Sequence, residues 1–464
     1  MNRFLLISAS LALAGCAVGP DYQRPAVPAP AAYPEGKGGR AAVSAEWWKG
    51  LGDARLSDLV ATALKNNADL RIAAGRVEEA AAGLADVAGA QLPAINASAA
   101  GTRTTVSTDG YTSLSTFGRT RKDYVANLST TFELDFWGKL RRATEASRAQ
   151  LLASQEARQQ VELGVVASVV KAYALVRSGD AQLAAAQEVF ASREEELRIS
   201  GERRKVGSIG VAEFAQAEVA RAAAVAALSD ARRARAQAEH LLGFLVGQPD
   251  LVLPPVRTAQ AVPPPPAAGL PSDLLRRRPD VVAAEQALIA ANARIGFVKA
   301  AYFPSFSLTG SVGQESKQFS SLFSAGNGTS FVGLNAAVPL LDFGRTAARV
   351  EGATAVQHQA AAAYEKAVLT AFREVRDALT DVRETMAAMQ AAQRREQAAR
   401  EAFRVATARQ AQGQVAPLEF QAARRQLAES QVAVARVRLD RLGAQVDLIK
   451  ALGGADVGER ASPR

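Results

Sequence analysis

The chain has one cysteine, Cys16, in 464 residues, and two histidines, His240 and His358. A lone thiol excludes an internal disulfide. Two histidines far apart in helical stretches supply no metal-ligand set. Aromatic residues reach only 6%, although hydrophobic residues make up 48% and alanine is the commonest of them. That composition suits long, closely packed helices better than a thick globular core. No uninterrupted run of eighteen apolar residues follows the first sixteen, so no membrane-spanning helix is expected. No nucleophile motif, phosphate loop or supported carboxylate pair is present, so no enzyme and no cofactor are expected.

Charge is weakly one-sided, at +9. Arg3 is the one charged residue among the first fifteen, and without it 9 − 1 leaves +8. Basic groups such as Arg232, Arg233, Arg235, Arg394 and Arg395 are interleaved with acids along helical segments. They form no stripe alternating with stacking aromatics, so no nucleic-acid partner is expected. They read as solvated helix faces.

What the chain does have is repetition. Gly138 to Gly247 lines up without a gap on Gly344 to Gly453 at an offset of 206 residues. Gly207 falls on Gly413, Glu213 on Glu419 and Phe214 on Phe420. Upstream, Asp69 falls on Asp280 and Pro93 on Pro304 at 211, and Asp135-Phe136 on Asp342-Phe343 at 207. A constant offset over so long a stretch means two copies of one structural unit with fixed helix lengths. The change of offset lies between Pro93 and Asp135, where a loop can absorb it.

Residues 1–15 read as a signal peptide. Arg3 gives a positive start, Phe4 to Ala14 is mostly apolar but too short to span a bilayer, and Leu13-Ala14-Gly15 ends it with small residues before Cys16. Residues 16–56 follow as a tether, rich in Pro, Ala and Gly up to residue 45, with Trp47-Trp48 marking the start of packed structure.

The first repeat is expected over 57–247. It begins with a helix over 57–91, with Ser57 as N-cap and Pro93 as terminator. Strands are expected over Ile95 to Ser107 and Asp123 to Phe136, where Thr, Ser, Val and aromatics gather. A long helix runs from Gly138 to about Lys205; at ~1.5 Å per residue it reaches about 100 Å. A turn at Gly207 to Gly210 and a helix over Val211 to Val246 complete the unit. A Pro-rich linker, 248–271, leads to the second repeat, 272–453. There the order recurs: a helix from Pro279 to Tyr302, strands over Ser305 to Gln314 and Ser330 to Leu341, a helix from Arg345 to Ala411, a turn, and a helix over Leu418 to Leu452. Residues 454–464 read as a loose tail.

The two shorter helices of a repeat are together as long as its long helix, so they are expected end to end beside it. Val368, Phe372, Val375, Leu379, Val382, Met386 and Met389 are spaced alternately by four and three, a heptad seam. Val166, Val169, Tyr173, Val176 and Leu183 keep much of it, with Asp180 interrupting. Heptads imply a left-handed supercoil, and the methionines read as core filler. Asp135 and Asp342 are expected as N-caps of the long helices.

Four strands of about 10–14 residues match the length of tilted membrane strands. An open four-stranded sheet cannot sit in lipid, because its edge groups would lack partners. Two chains would give eight strands and a filled interior; three would give twelve and a lumen. A small soluble sheet is the other reading.

Several segments together resemble the TolC-like outer-membrane efflux proteins, in the lipidated branch serving RND-type pumps (NodT-type outer-membrane lipoproteins). They are Cys16 with Val18-Gly19-Pro20-Asp21-Tyr22 and Pro25; Trp47-Trp48 leading into Leu56, Leu59, Ala63-Leu64 and Asn67; Leu134-Asp135-Phe136-Trp137-Gly138 with Leu341-Asp342-Phe343-Gly344; Arg276-Arg277-Arg278-Pro279-Asp280-Val281; Ala301-Tyr302-Phe303-Pro304; and Lys450-Ala451-Leu452-Gly453-Gly454. Leu13 to Cys16 likewise resembles a lipobox, which implies lipid attachment at Cys16, and Ala17 then implies sorting to the outer membrane.

The resemblance implies a mainly α fold with a small membrane β part: duplicated long helical hairpins forming a periplasmic tunnel, and four strands per chain in a twelve-stranded barrel made by a homotrimer. It implies a passive outer-membrane channel for drugs and other small molecules. Its partners would be outer-membrane lipid, a periplasmic adaptor and an inner-membrane RND-type pump. The adaptor-contacting tips would be Val206, Gly207, Ser208, Gly413, Gln414 and Val415. The periplasmic gate would fall on Leu418, Ala422 and Arg425, with alanine where the family carries an acid. Two other readings are a periplasmic adaptor, which would carry one hairpin and a lipoyl-like domain, and a structural coiled-coil lipoprotein, which would lack strands.

Overall fold

A computed structural model describes residues 17–28, 33, 43–107, 119–256, 262–267, 269 and 271–454. The expected signal peptide, Cys16, most of residues 29–42 and all but the first residue of the expected tail lie outside the described residues.

A 3₁₀ turn, Trp47–Leu51, precedes α1 (Ala54–Asn66) and α2 (Ala68–Gly89). Strands β1 (Ala94–Thr105) and β2 (Thr120–Leu134) lead to α3 (Lys139–Lys205) and α4 (Val211–Val246). The second repeat gives α5 (Pro279–Lys299), β3 (Ser305–Ser316), β4 (Gly328–Ala337), α6 (Arg345–Ala411) and α7 (Pro417–Ala451). Helices α3 and α6 both have 67 residues, and strands β1 and β3 both have 12, each pair at the offset of its repeat.

Two expectations are corrected, and a third meets a competing feature. The N-cap of α1 is Asp53, whose carboxylate accepts from Leu56 N at 3.2 Å; Ser57 lies inside the helix, its hydroxyl on Asp53 O. The expected 57–91 helix is broken at Asn67, which is extended. And the span Pro279–Tyr302 is long and apolar enough to cross a membrane by length and composition. Its hydropathy comes from scattered Val, Ile, Leu and Ala rather than one run. Half of its most apolar window is buried, and it carries Glu285 and Asn292, which hydrogen-bond to Tyr22 and Pro20, as a core helix does.

The break at Asn67 has a purpose that its counterpart repeats. Asn67 is buried; its side-chain oxygen accepts from Asp69 N at 2.9 Å and Leu70 N at 3.3 Å, capping α2, while its Nδ2 donates to Leu245 O at 2.9 Å. It therefore joins the C-terminus of α4 to the N-terminus of α2, while α1 packs beside α4. In the second repeat Arg278 is the counterpart of Asn67, at the offset that pairs Asp69 with Asp280. Its guanidinium donates at 3.0 Å to the oxygen of Ala451, the counterpart of Leu245, and pairs with Asp280 at 2.6 Å and Glu374 at 2.7 Å. A cation there also suits the negative C-terminal end of α7. Gly453, with φ +82°, lies so close that a Cβ would come within 2.7 Å of Arg277 O.

The chain forms two compact units, which cut across the repeats because each long helix passes from one into the other. One unit holds the described residues of 27–75, 155–283 and 365–464. Its core gathers Leu56, Leu59, Val60, Val166, Val169, Tyr173, Val176, Leu242, Val246 and Val446. The heptad positions Val368, Phe372, Val375, Leu379, Val382 and Met389 are buried, but Met386 is exposed. Asp180 is buried and answered by Arg235 at 2.9 Å and by Val256 N at 3.2 Å.

The other unit holds the described residues of 1–26, 76–154 and 284–364. Here β1-β2-β3-β4 make an antiparallel meander in that order. The β2–β3 pair crosses from one repeat to the other, with Leu134 opposite Phe306 and Thr131 opposite Thr309. Strands β1 and β4 are the outer edges; β1 is exposed throughout and β4 almost so. Asp135 accepts from Arg141 N at 2.9 Å and Asp342 from Thr346 N at 2.8 Å, so both serve the first turns of the long helices.

Candidate functional site

The expected tips are two turns of one design. Gly207 N donates to Arg204 O and Ser208 N to Arg203 O; Gly413 N donates to Gln410 O and Gln414 N to Arg409 O, all at 2.9–3.0 Å. This is the glycine-terminated helix end in which left-handed backbone turns the chain. The φ values are +71° at Gly207 and +70° at Gly413. Ser208 Oγ adds a bond to Arg203 O at 2.9 Å, and Glu213 accepts from Gly210 N at 3.4 Å. Val206, Gly207, Ser208, Gly413 and Gln414 are exposed and Val415 is half-buried. Neither glycine would bring a Cβ within 4 Å of anything, so the tips present bare backbone and small side chains.

Of the expected gate positions, Leu418 is half-buried and Ala422 exposed. Arg425 is held: Nη1 reaches Glu196 at 3.0 Å and Ser192 Oγ at 3.2 Å, both on α3. Burial pulls its guanidinium below the ordinary value, while Glu196 opposes that shift. Next to it Arg424 reaches Glu188 at 2.5 Å. So α7 is tied to α3 just past the second tip by two arginine–glutamate pairs of the same chain. Glu213 and Glu419 take no part in those pairs. The pattern of Leu418, Ala422 and Arg425 did not reveal the acid on α3, since nothing in sequence spacing places Glu196 against Arg425.

A second feature escaped the sequence reading altogether. Residues 17–24 lie as a strap against α3 and α5. Val18 N donates to Trp137 O at 2.9 Å, Asn292 Nδ2 to Pro20 O at 2.8 Å, and Arg142 to Asp21 at 2.7 Å. Gly19 (φ +111°) meets Gly296 so closely that a Cβ on Gly19 would lie 2.5 Å from Gly296 Cα. The strap ends on Glu285, whose side chain is only 7% exposed. Arg24 donates to both its oxygens at 2.6 Å, and Tyr22 OH donates to it at 3.0 Å. Burial first, and then the Glu285 carboxylate, push the Tyr22 hydroxyl upward. Losing a charged hydrogen-bonded pair costs ~1.5–3 kcal/mol. Glu285→Gln is therefore expected to speed chymotryptic cleavage after Tyr22 roughly tenfold or more, at ~1.4 kcal/mol per decade. An unchanged cleavage rate would show that Glu285 does not hold the strap.

The strap leads to the junction of sheet and helices. Trp137 stacks on Phe303 with ring centroids 4.8 Å apart and donates Nε1–H to Pro304 O at 2.7 Å. Phe136 meets Phe306 edge-on at 5.2 Å. Apolar side chains of the sheet, among them Ile95, Leu128, Val312, Phe331, Val332 and Leu334, are exposed. Among the described residues no group of three or more His, Cys, Asp or Glu is placed to hold a metal ion.

Twin helical hairpins together with a sheet that has two open edges define the class of outer-membrane export channels. Known proteins resemble this chain in both sequence and fold. The family described as "Outer membrane efflux protein" matches residues 59–248 and 270–454. A relative from Pseudomonas putida, the probable efflux pump outer membrane protein TtgC, is 34% identical over 98% of this chain and 96% of its own. The cation efflux system protein CusC of Escherichia coli K12 is 32% identical over 97% and 99%. The crystal structure of the Campylobacter jejuni CmeC outer membrane channel superposes with a TM-score of 0.88 at 27% identity, covering 95% of each chain. The chain belongs to the outer membrane efflux protein family and is an outer-membrane efflux channel protein.

Proposed function

We propose that this chain, as a lipid-anchored homotrimer, is the passive outer-membrane duct of a tripartite efflux system. It receives drugs and other small molecules from a periplasmic adaptor and an inner-membrane RND-type pump. The observation that carries the trimer is the meander in which, among the described residues, β1 and β4 each pair on one side only. In lipid those edge groups must find partners, and three copies give a closed barrel with room for a lumen. Acylation at Cys16 is supported by Val18, two residues on, being held at the sheet–helix junction through Trp137. The two exposed Gly turns are the proposed adaptor contacts. Leu418, Ala422 and Arg425 are the proposed gate, with Glu196 as the acid that answers Arg425 where Ala422 cannot.

Deletion of the gene followed by complementation tests this reading. The deletion strain is expected to become more susceptible to some dyes, detergents or antibiotics, and the wild-type chain to restore resistance. No change for any compound, with the protein well expressed, would sink it. Cysteines placed at Gly207 or Gly413 should crosslink to the adaptor. Crosslinks only from sites near Gly326 would mean that the assigned orientation is inverted.

A further inference from the structure

The two repeats treat their strand-to-helix junctions differently. In the first, Phe136 and Trp137 sit on Phe306 and Phe303, and Trp137 also bonds Pro304 O. All three seat positions belong to the second repeat. In the second repeat the corresponding aromatic is Phe343, which aligns with Phe136 at the offset of the strands' end and with Trp137 at that of the long helices. It is 88% exposed, and Leu340 and Leu341 before it are exposed as well. Its φ is +53°, the only positive value on a non-glycine residue among the described residues. A bulky side chain in left-handed backbone costs ~1–2 kcal/mol and persists where surroundings over-determine it. So exposed a ring leaves its own chain little with which to do so.

The repeat names what is missing. The first-repeat counterparts of Phe303 and Phe306 are Leu92 and Ile95, in the register that pairs Pro93 with Pro304, at the start of the first repeat's sheet. These are 68% and 75% exposed, a seat without an occupant. One copy thus offers an unseated aromatic at one edge of its sheet and an empty apolar seat at the other. Two copies side by side satisfy both, as the two repeats do inside a single chain.

We propose that Phe343 of one copy docks on Leu92 and Ile95 of the next, and that this contact holds Phe343 in its left-handed conformation. The proposal rests on the reading of the chain as a closed oligomer and adds the residues that lock its seam. Lipid is the competing occupant. The first junction argues against it, because Trp137 there is fixed by a hydrogen bond to protein backbone.

The test uses the full-length chain in native membranes. Phe343→Cys in one tagged copy is co-expressed with Leu92→Cys or Ile95→Cys in a copy bearing a different tag. A disulfide requires Cα atoms within about 7 Å, so oxidation reports close approach only. A mixed-tag band at twice the chain mass, needing both cysteines, is expected. Its absence while unmodified protein still extracts as a trimer would overturn the proposal and leave the channel reading standing. Extraction of unmodified protein as a monomer would overturn both. Phe343→Gly gives a second measure, since glycine accepts the left-handed backbone found there without strain. Its helical content is expected to be unchanged and its heat-resistant oligomer on unboiled gels lost. An oligomer of equal or greater heat resistance would show Phe343 to be a local oddity of the turn.

Discussion

Arg278→Met is expected to lower stability by about 3 kcal/mol. A charged hydrogen bond contributes ~1.5–3 kcal/mol, and breaking a buried ion pair costs ~3–5 kcal/mol. The upper range does not apply, because Asp280 and Glu374 are 30% and 41% exposed and can regain water. What methionine cannot replace is the donor to Ala451 O at the end of α7. Asn67→Ala removes the equivalent donor in the first repeat, along with two cap bonds, all of them neutral. It is expected to cost about 2 kcal/mol, at ~0.5–1.5 kcal/mol per neutral bond plus the unsatisfied carbonyl. Urea midpoints followed by helical circular dichroism of the solubilised protein would compare the two. A wild-type midpoint for Arg278→Met would remove the junction from the account, and so would an Asn67→Ala loss larger than the arginine's.

Gly207→Val with Gly413→Val is expected to abolish efflux while leaving the chain in the membrane. Open space surrounds a Cβ at either site, so the main cost is conformational. At ~1–2 kcal/mol for each left-handed residue, the hairpins stay folded but the tips rearrange. Valine, branched at Cβ, is among the residues least tolerated there. The measured outcome is susceptibility close to that of the deletion strain, at wild-type protein levels in the outer membrane. Normal resistance with both valines in place would mean that the shape of the tips is not used. Glycine-to-asparagine at the same sites provides a graded control, since asparagine enters the left-handed region more readily.

Much of this fold was legible in sequence because duplication is a length measurement. The constant offset required α3 and α6 to match and the glycine turns to recur, and 67-residue helices with paired turns follow. The heptads named a seam because burial at periods of three and four is local to one helix. Met386 shows the limit: its spacing is right, yet it stays exposed at that point. Ser57 illustrates another, since Asp53, four residues earlier, took the cap and is itself held by Tyr173 at 2.7 Å. The Arg276 to Asp280 run reads in sequence as a motif whose physical role no neighbouring residue supplies. Its partners Glu374 and Ala451 lie 96 and 173 residues away from Arg278, which no local pattern encodes.

The sequence alone determined the twofold repetition, the length of the two long helices, the order of helices and strands, and the glycines at which the hairpins turn, because these depend on spacing along the chain. Tertiary structure alone decided which distant groups answer one another: Glu285 for Arg24 and Tyr22, Glu196 for Arg425, Ala451 for Arg278. It also decided that Phe343 stands unseated while Phe136 and Trp137 do not. Pairings of this kind depend on where helices and strands end up beside each other, and that is settled by packing rather than by any interval in the chain.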